Sequence, residues 1–354
     1  MQSKLEPYQV ASNTKDPAII TELDLGDDRS LREILAEAQN LSTGSKGYVT
    51  GWQDFNKMIQ GRLRPGECVV VGALQHKYKT GFTLSLFKQI AIYNKPLTVD
   101  PMKKPLLLRI SFEDAMVNNV QFLYMNLKYN ETGEMVDISD ISVDEMSAYV
   151  KERMQKTGFH VKMIRVDPTQ WTYRSIINKV IEFESQGYQI ESLFLDYLML
   201  VPTTGCITTG PAGTDMPDLL RRVRNFCAQR GILFVTPHQL STEAKGLTRG
   251  LLPEDKFLSE ISEKGYYAGS KQLDQEIDLE LYVHKFKMNG ANWLGVQRGK
   301  HRLPSEIEDD ADKAFFLPFP KRMPIPDDVL GERIAVKKIP AGKPVSNVSD
   351  DFFG

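Results

Sequence analysis

The feature that most restricts the fold is an alternation of short apolar runs with helix-length amphipathic stretches between Gly51 and His301. Strand-like runs lie at residues 67–71, 105–110, 161–166, 192–201, 232–236, 278–284 and 293–297, and helix-like stretches at 80–94, 117–129, 143–157, 173–186 and 216–230. The strand runs are almost wholly apolar, so both faces of their sheet must be covered. Helical crossovers between successive strands then make that sheet mainly parallel, which gives an α/β fold with a central sheet flanked by helices. In the stretch at 216–230, Leu219, Leu220, Val223, Phe226 and Cys227 form the inward stripe, and Arg221, Arg222 and Arg224 are expected on a solvated face.

The flanks read differently. Residues 1–27 are polar and aperiodic, as a flexible arm would be. Within residues 28–47, Ser30 and Glu33 have capping-box spacing, and Leu31, Ile34, Leu35 and Ala38 make one apolar stripe ahead of a Ser, Thr and Gly-rich linker. That stripe must be covered by its own domain or by a neighbouring subunit. Residues 48–303 form one continuous α/β domain. Residues 304–354 begin acidic (Glu306, Glu308, Asp309, Asp310, Asp312), turn proline-rich at 317–326 and end in Asp350-Asp351-Phe352-Phe353-Gly354. An extended tail is expected, whose terminal phenylalanines either dock a partner or fray.

Composition narrows the function classes. Of 354 residues, 41% are hydrophobic and 25% charged, and no apolar run approaches the ~20 residues of a membrane span. The first residues lack an apolar signal core, so a cytoplasmic protein without membrane attachment is expected. The three cysteines have no Cys-x-x-Cys spacing, which points away from a disulfide framework or a zinc site. A net charge of −2 argues against a protein that coats DNA with one broad basic face, but a ring gripping a strand in its lumen needs only a few donors per subunit.

Chemistry-bearing residues cluster where strands end. After the first strand comes Gly72-Ala73-Leu74-Gln75-His76-Lys77-Tyr78-Lys79-Thr80-Gly81, a tight turn with Lys-Thr opening a helix. There, backbone amides and the helix dipole can hold phosphates, Lys79 can reach the β and γ oxygens and Thr80 can ligate Mg2+. Tyr78 stands where such loops carry glycine, so a plain strand-to-helix turn is the competing reading. Asp196 follows an apolar run and faces the crevice where ligands of open α/β sheets bind, either as a magnesium ligand or as a loop cap. Glu113 ends the run 105–110 and is placed to polarise an attacking water or to sit in solvent. Gln239 ends the next strand, where an amide can sense a γ-phosphate. Arg298 ends a late one, either as a finger for a neighbouring subunit's nucleotide, an effect typically worth ~10³ to 10⁵ in rate, or in a surface ion pair.

In this order the blocks resemble the RecA-like motor domain of DnaB-type hexameric replicative DNA helicases, over roughly residues 48–303. The match opens at Thr50-Gly51-Trp52-Gln53-Asp54-Phe55 and Gly61-Arg62-Leu63-Arg64-Pro65-Gly66-Glu67. The family's Ser-Leu-Glu appears as Ser111-Phe112-Glu113, its Asp-Tyr-Leu-Gln-Leu as Asp196-Tyr197-Leu198-Met199-Leu200, its Ser-Gln as His238-Gln239 and its Lys-Gln-Arg as Val296-Gln297-Arg298. The resemblance implies a P-loop NTPase in which residues 73 and 75–81 (Ala73, Gln75, His76, Lys77, Tyr78, Lys79, Thr80, Gly81) and Asp196 bind ATP. It also implies that Thr80 and Asp196 hold Mg2+, that Glu113 is the catalytic acid, Gln239 the sensor and Arg298 the finger.

Alanine at position 73 is usual in that family, whereas Tyr78 and Val296 depart from it. DNA contacts are implied for residues 203–215 and 256–272, where Lys264, Gly269, Ser270 and Lys271 can hold phosphates and Tyr266 or Tyr267 can stack on bases. A family-type helical front end is missing, which suggests a minimal, phage-type subunit whose ring is held by the helix at 31–38. The expected activity is ATP-dependent unwinding of duplex DNA by a ring. The alternatives are a nucleotide-binding-deficient DNA-binding or helicase-loading adaptor, should Tyr78 close the pocket, and a recombinase-like ATPase. Expected partners are single-stranded DNA, copies of the same chain, and a primase, helicase loader or other replisome protein at the C-terminal tail.

Overall fold

The computed structural model describes residues 23–42, 46–207, 215–250, 252–269, 272–302, 310–320 and 325–340. Residues 1–22, most of the arm, and the Asp-Asp-Phe-Phe-Gly terminus lie outside them, as do Glu306, Glu308 and Asp309. Residues 46–354 cluster as one compact unit and residues 1–45 as another.

In the smaller unit, helix α1 spans Asp28–Ser42. It starts two residues ahead of Ser30, because Asp27 takes the capping role: its carboxylate accepts from the Arg29 amide and from the Ser30 hydroxyl. Ile34 and Leu35 of the apolar stripe are exposed.

The larger unit is built on one sheet of order β3-β2-β4-β5-β1-β6-β7-β8. Its strands are β1 Cys68–Ala73, β2 Lys104–Ser111, β3 His160–Arg165, β4 Tyr188–Asp196, β5 Leu233–Gln239, β6 Leu279–Met288, β7 Ala291–His301 and β8 Ala314–Pro318. All pairs from β3 through β6 are parallel, and β7 and β8 add antiparallel at one edge. The longer helices are α3 Lys79–Tyr93, α4 Met116–Thr132, α5 Val143–Gln155, α6 Tyr173–Ser185 and α7 Asp215–Gln229. Short helices α2 Gln53–Met58, α8 Thr242–Leu247 and α9 Phe257–Ile261 lie in stretches too brief for a helical period to show.

Each strand serves two cores. Along β1, Val69, Val71 and Ala73 enter a cluster that includes Phe82, Leu86 and Phe87 of α3, while Cys68 and Val70 enter another that includes Ile176 and Val180 of α6 and Leu219 and Val223 of α7. This two-sided burial explains why the runs read as continuously apolar. The arginines of α7 are not simply solvated: Arg221 pairs with Glu276, Arg222 with Asp218 and Arg224 with Asp278. Among the described residues no helix is long and apolar enough to cross a membrane.

The boundary at 303 is corrected. β8 pairs with β7, Ile325 is fully buried, and the Trp52 indole donates to the Pro326 carbonyl at 2.9 Å. Asp327 accepts from the Lys88 ammonium, from the Gln89 amide at 2.6 Å and from the Tyr93 hydroxyl at 3.0 Å. Asp328 accepts from the Gln53 amide at 2.7 Å, and the Arg333 guanidinium forks onto Asp54. Acidic residues and prolines read as tail composition, yet these carboxylates face buried donors contributed by residues more than two hundred positions earlier. Lys88 is 0% exposed, so Asp327 is its required counter-charge.

Removing one partner of a buried pair leaves an uncompensated charge. Asp327→Ala is therefore expected to destabilise the protein by ~3–5 kcal/mol, and Lys88→Met with Asp327→Leu together by much less than the sum of the single changes. Equilibrium urea unfolding checks this, and a cost below ~1 kcal/mol for Asp327→Ala would refute the pairing.

Candidate nucleotide-binding site

Parallel pairing sets the site. Ser111 at the end of β2 lies opposite Asp196 at the end of β4, and Ala73 at the end of β1 lies opposite Gln239 at the end of β5. One sheet edge thus presents the turn after β1, the carboxylates after β2, Asp196 and Gln239 together, where ligands of open α/β sheets bind. β4 stops at Asp196 instead of running to residue 201, so this carboxylate is terminal in the strand.

The turn between Ala73 and Lys79 has the left-handed backbone that a phosphate-binding loop needs, without glycine. His76 has φ 59° and Tyr78 φ 75°. Each such non-glycine residue costs of order 1–3 kcal/mol and persists only where its surroundings hold it. Tyr78 is held by its ring, which packs edge-on against Phe319 at 4.7 Å between centroids, lies 6.5 Å from Phe122 and covers the Cα of Gly81. Burial pushes its phenol well above the ordinary tyrosine range. None of those partners belongs to the polar group around Lys79, so the ring is fastened to the core. Lys77 is also committed, donating to the Lys285 carbonyl at 2.7 Å, while Gln75 and His76 are exposed.

Tyr78 is the N-cap of α3 and offers no side-chain cap, which leaves the amides of the first turn available to an outside acceptor. Lys79 is half-buried with its ammonium 5.8 Å from the Tyr197 ring centre. Burial lowers its pKa, and Glu113, Asp196 and Asp114 oppose that shift, which places these carboxylates around the ammonium. Glu113 is exposed at the mouth, and the Asp114 amide is tied to Ser111 Oγ at 3.2 Å.

Asp196 is buried, and this raises its carboxyl pKa. The Arg109 guanidinium, at 2.5 Å from Oδ2, pulls it down, Asp114 raises it, and the Thr80 hydroxyl and Lys79 lower it further. Its Oδ1 is a buried oxygen that accepts no hydrogen bond. An orphaned carboxylate oxygen beside a threonine hydroxyl fits Mg2+, which takes one or two protein oxygens and completes its octahedron with phosphates and water. No group of three or more metal-binding side chains occurs among the described residues, and this kind of site requires none. Sequence reasoning missed Arg109 and Asp114. The signal for Arg109 was a lone cation inside the apolar run 105–110, a position that only a buried counter-ion makes tolerable.

Gln239 is part-buried, and its carbonyl accepts from the Ala268 amide at 2.9 Å. Leu240 and Tyr267 form an antiparallel bridge, and His238 Nε2 lies 2.8 Å from the Ala268 carbonyl oxygen. Burial holds the His238 imidazole down at about 4, so it is neutral at pH 7 and acts as a fixed link. The segment expected to contact DNA is therefore laced to the end of β5. In that segment Lys264 pairs with Glu260, and Gly269 has φ +84°. Ser270 and Lys271 lie outside the described residues, as do residues 208–214 of the other expected DNA-facing segment. Tyr267 is not available for stacking on bases: it is buried, with its hydroxyl donating to Glu280 at 2.7 Å.

The finger expectation for Arg298 is corrected. β7 runs on to His301, so Arg298 sits within the strand and not at its end. It is 2% exposed and donates to the Met58 carbonyl at 2.9 Å, an interaction inside its own subunit. Val296 likewise faces the core, where a lysine would be buried.

The Tyr78 ring occupies the space that a Cβ on Gly81 would need. Gly81→Ala, ordinarily favourable in a helix by ~0.5–1 kcal/mol, is expected instead to destabilise by ~1–3 kcal/mol, and Tyr78→Gly is expected to cancel that cost. A double-mutant cycle by chemical denaturation measures the coupling, and additive effects would contradict the packing.

Two solved structures have a similar fold: a DnaB-like replicative helicase, reported with its interactions with primase, and an ATPase domain. The helicase matches with a TM-score of 0.57 and 14% identity over 90% of this chain and 69% of that one. The ATPase domain matches with a TM-score of 0.57 and 16% identity over 83% of this chain and 97% of that one. At these identities the likeness establishes the fold alone, a mainly parallel sheet flanked by helices. No curated protein matches the sequence significantly. Residues 1–347 match the family described as divergent DnaB-like ATPase, and the chain belongs to that family.

Proposed function

We propose that the protein is an ATP-driven motor that assembles as a ring, most simply a hexamer, moves on single-stranded DNA and unwinds duplex DNA during replication. The observation that carries this reading is the convergence of Lys79, Thr80, Glu113, Asp196 and Gln239 at one sheet edge from four separate strands. Isolated, each has an ordinary structural explanation; a triphosphate explains them together.

In this reading the first-turn amides of α3 and the Lys79 ammonium hold the β and γ phosphates of ATP. Thr80 and Asp196 Oδ1 hold Mg2+, which when bound neutralises charge on the phosphoryl oxygens. Glu113, exposed beside the Lys79 ammonium, orients the attacking water and takes its proton. Gln239 reads the γ position, and the hydrogen bond and bridge from β5 to residues 266–268 carry that state to the DNA-facing segment, with Lys264, Gly269, Ser270 and Lys271 on the phosphates. The exposed Ile34 and Leu35 of α1 dock on a neighbouring copy. The trans-acting cation is left unassigned, since Arg298 is internal. A primase or loader contact is assigned to the residues beyond 340.

A second reading, a nucleotide-binding adaptor with little turnover, is favoured by the engagement of Asp196 with Arg109 and by the absence of glycine at position 78. Hydrolysis separates the two.

Phosphate release by the wild-type protein is expected to rise when single-stranded DNA is added. Lys79→Ala is expected to abolish it, and Glu113→Gln to lower it ~10²–10⁴-fold while leaving nucleotide affinity intact. Nucleotide binding without turnover, whatever DNA is present, would select the adaptor.

A further inference from the structure

Arg109 touches Asp196 but contacts no phosphate-facing atom of the turn after β1. It is 1% exposed in the interior of β2, on the face that carries α3. Its Nη2 donates to Asp196 Oδ2, and its Nη1 lies 3.4 Å from Thr83 Oγ1 in the first turns of α3. Burial lowers the Arg109 pKa, with Asp196 and Asp114 opposing; guanidinium remains charged under ordinary conditions. A permanent cation is thus built under the phosphate-binding turn, in contact with the carboxylate that a divalent ion would use.

In a P-loop site without such a cation the strand-end carboxylate repels the triphosphate until Mg2+ lies between them. Arg109 removes that repulsion from within. It also opposes entry of a divalent ion, because a second cation would share the same buried carboxylate in a region where charges are weakly screened. The pair leaves Asp196 only Oδ1 for a metal.

We propose that Arg109 is a positioning residue that substitutes for the charge-balancing role of Mg2+, so that this protein binds nucleoside triphosphate largely independently of divalent cation and holds that cation weakly. The inference rests on the nucleotide site proposed above. It divides the roles of metal: binding of the nucleotide proceeds without it, and only phosphoryl transfer needs it.

The test uses the 354-residue chain and a fluorescent ATP analogue, with affinity read by anisotropy in Mg2+ and in EDTA. Wild-type Kd is expected to agree within about fivefold between the two conditions. Arg109→Gln, which keeps a donor to Asp196 but not the charge, is expected to bind the analogue at least about tenfold more weakly in EDTA than in Mg2+. The same variant should bind Mn2+, followed by its electron paramagnetic resonance signal, about tenfold more tightly than wild type. Arg109→Lys should restore the wild-type pattern in both readouts. If Arg109→Gln does not fold, the wild-type comparison decides alone. A loss of about a hundredfold in wild-type affinity on adding EDTA overturns the inference, as does Mn2+ affinity in Arg109→Gln equal to or weaker than wild type. Absence of nucleotide binding in both conditions instead overturns the nucleotide site itself.

Discussion

Everything at the candidate site depends on the parallel pairing of β2 with β4 and of β5 with β1. Because these strands run the same way and end at the same edge, Ser111 stands opposite Asp196 and Ala73 opposite Gln239. A one-residue slip of β4 against β2 would turn Asp196 from the α3 face to the other, and a slip of β5 against β1 would do the same to Gln239. The apolar continuity of the strands protects against such slips by demanding burial on both faces, with β1 feeding one cluster through Val69 and Val71 and the other through Cys68 and Val70. The site is therefore a consequence of sheet register, and the loops add the phosphate-facing backbone to positions that register has already set.

Buried charge is the second theme. The Arg109–Asp196 and Lys88–Asp327 pairs lie in nearly dry surroundings, and Glu280 is buried with the Tyr267 and Tyr282 hydroxyls donating to it. Such groups rarely add net stability over apolar replacements, but each strongly penalises a fold that fails to unite its partners. In this protein they join segments far apart in sequence: α3 to the residues after β8, β2 to β4, and β6 to the loop after α9. The same residues after β8 carry Phe319, which supports the left-handed Tyr78 backbone, so the nucleotide turn and the C-terminal segment are parts of one packing unit.

How much was legible follows from range. Helices α3, α6 and α7 and strands β1 and β2 appeared in the sequence within a residue or two of their ends, since periodicity and burial are local properties. Lys79, Thr80, Glu113, Asp196 and Gln239 stood out in the sequence as polar residues at or just after apolar strand runs, and the structure brings them to one edge. Arg298 was misread because the strand was ended too early: β7 continues to His301, and an arginine inside a strand turns toward its own core. Tyr267 was misread because its acceptor, Glu280, comes from another strand. The segment from β8 to residue 336 was taken for tail because its prolines and aspartates have partners in α2 and α3 that no local pattern reveals. In each failure, the deciding contact was long-range.

The central claim is that a triphosphate lies against the N-terminus of α3 with the Tyr78 ring still seated on Phe319. A structure determined with a saturating non-hydrolysable ATP analogue tests it most directly. The account predicts phosphate density within hydrogen-bond reach of Lys79 Nζ and the Thr80 hydroxyl, beside Asp196, with the aromatic packing unchanged. An empty turn at saturating ligand, or a tyrosine ring swung over Lys79, would contradict it.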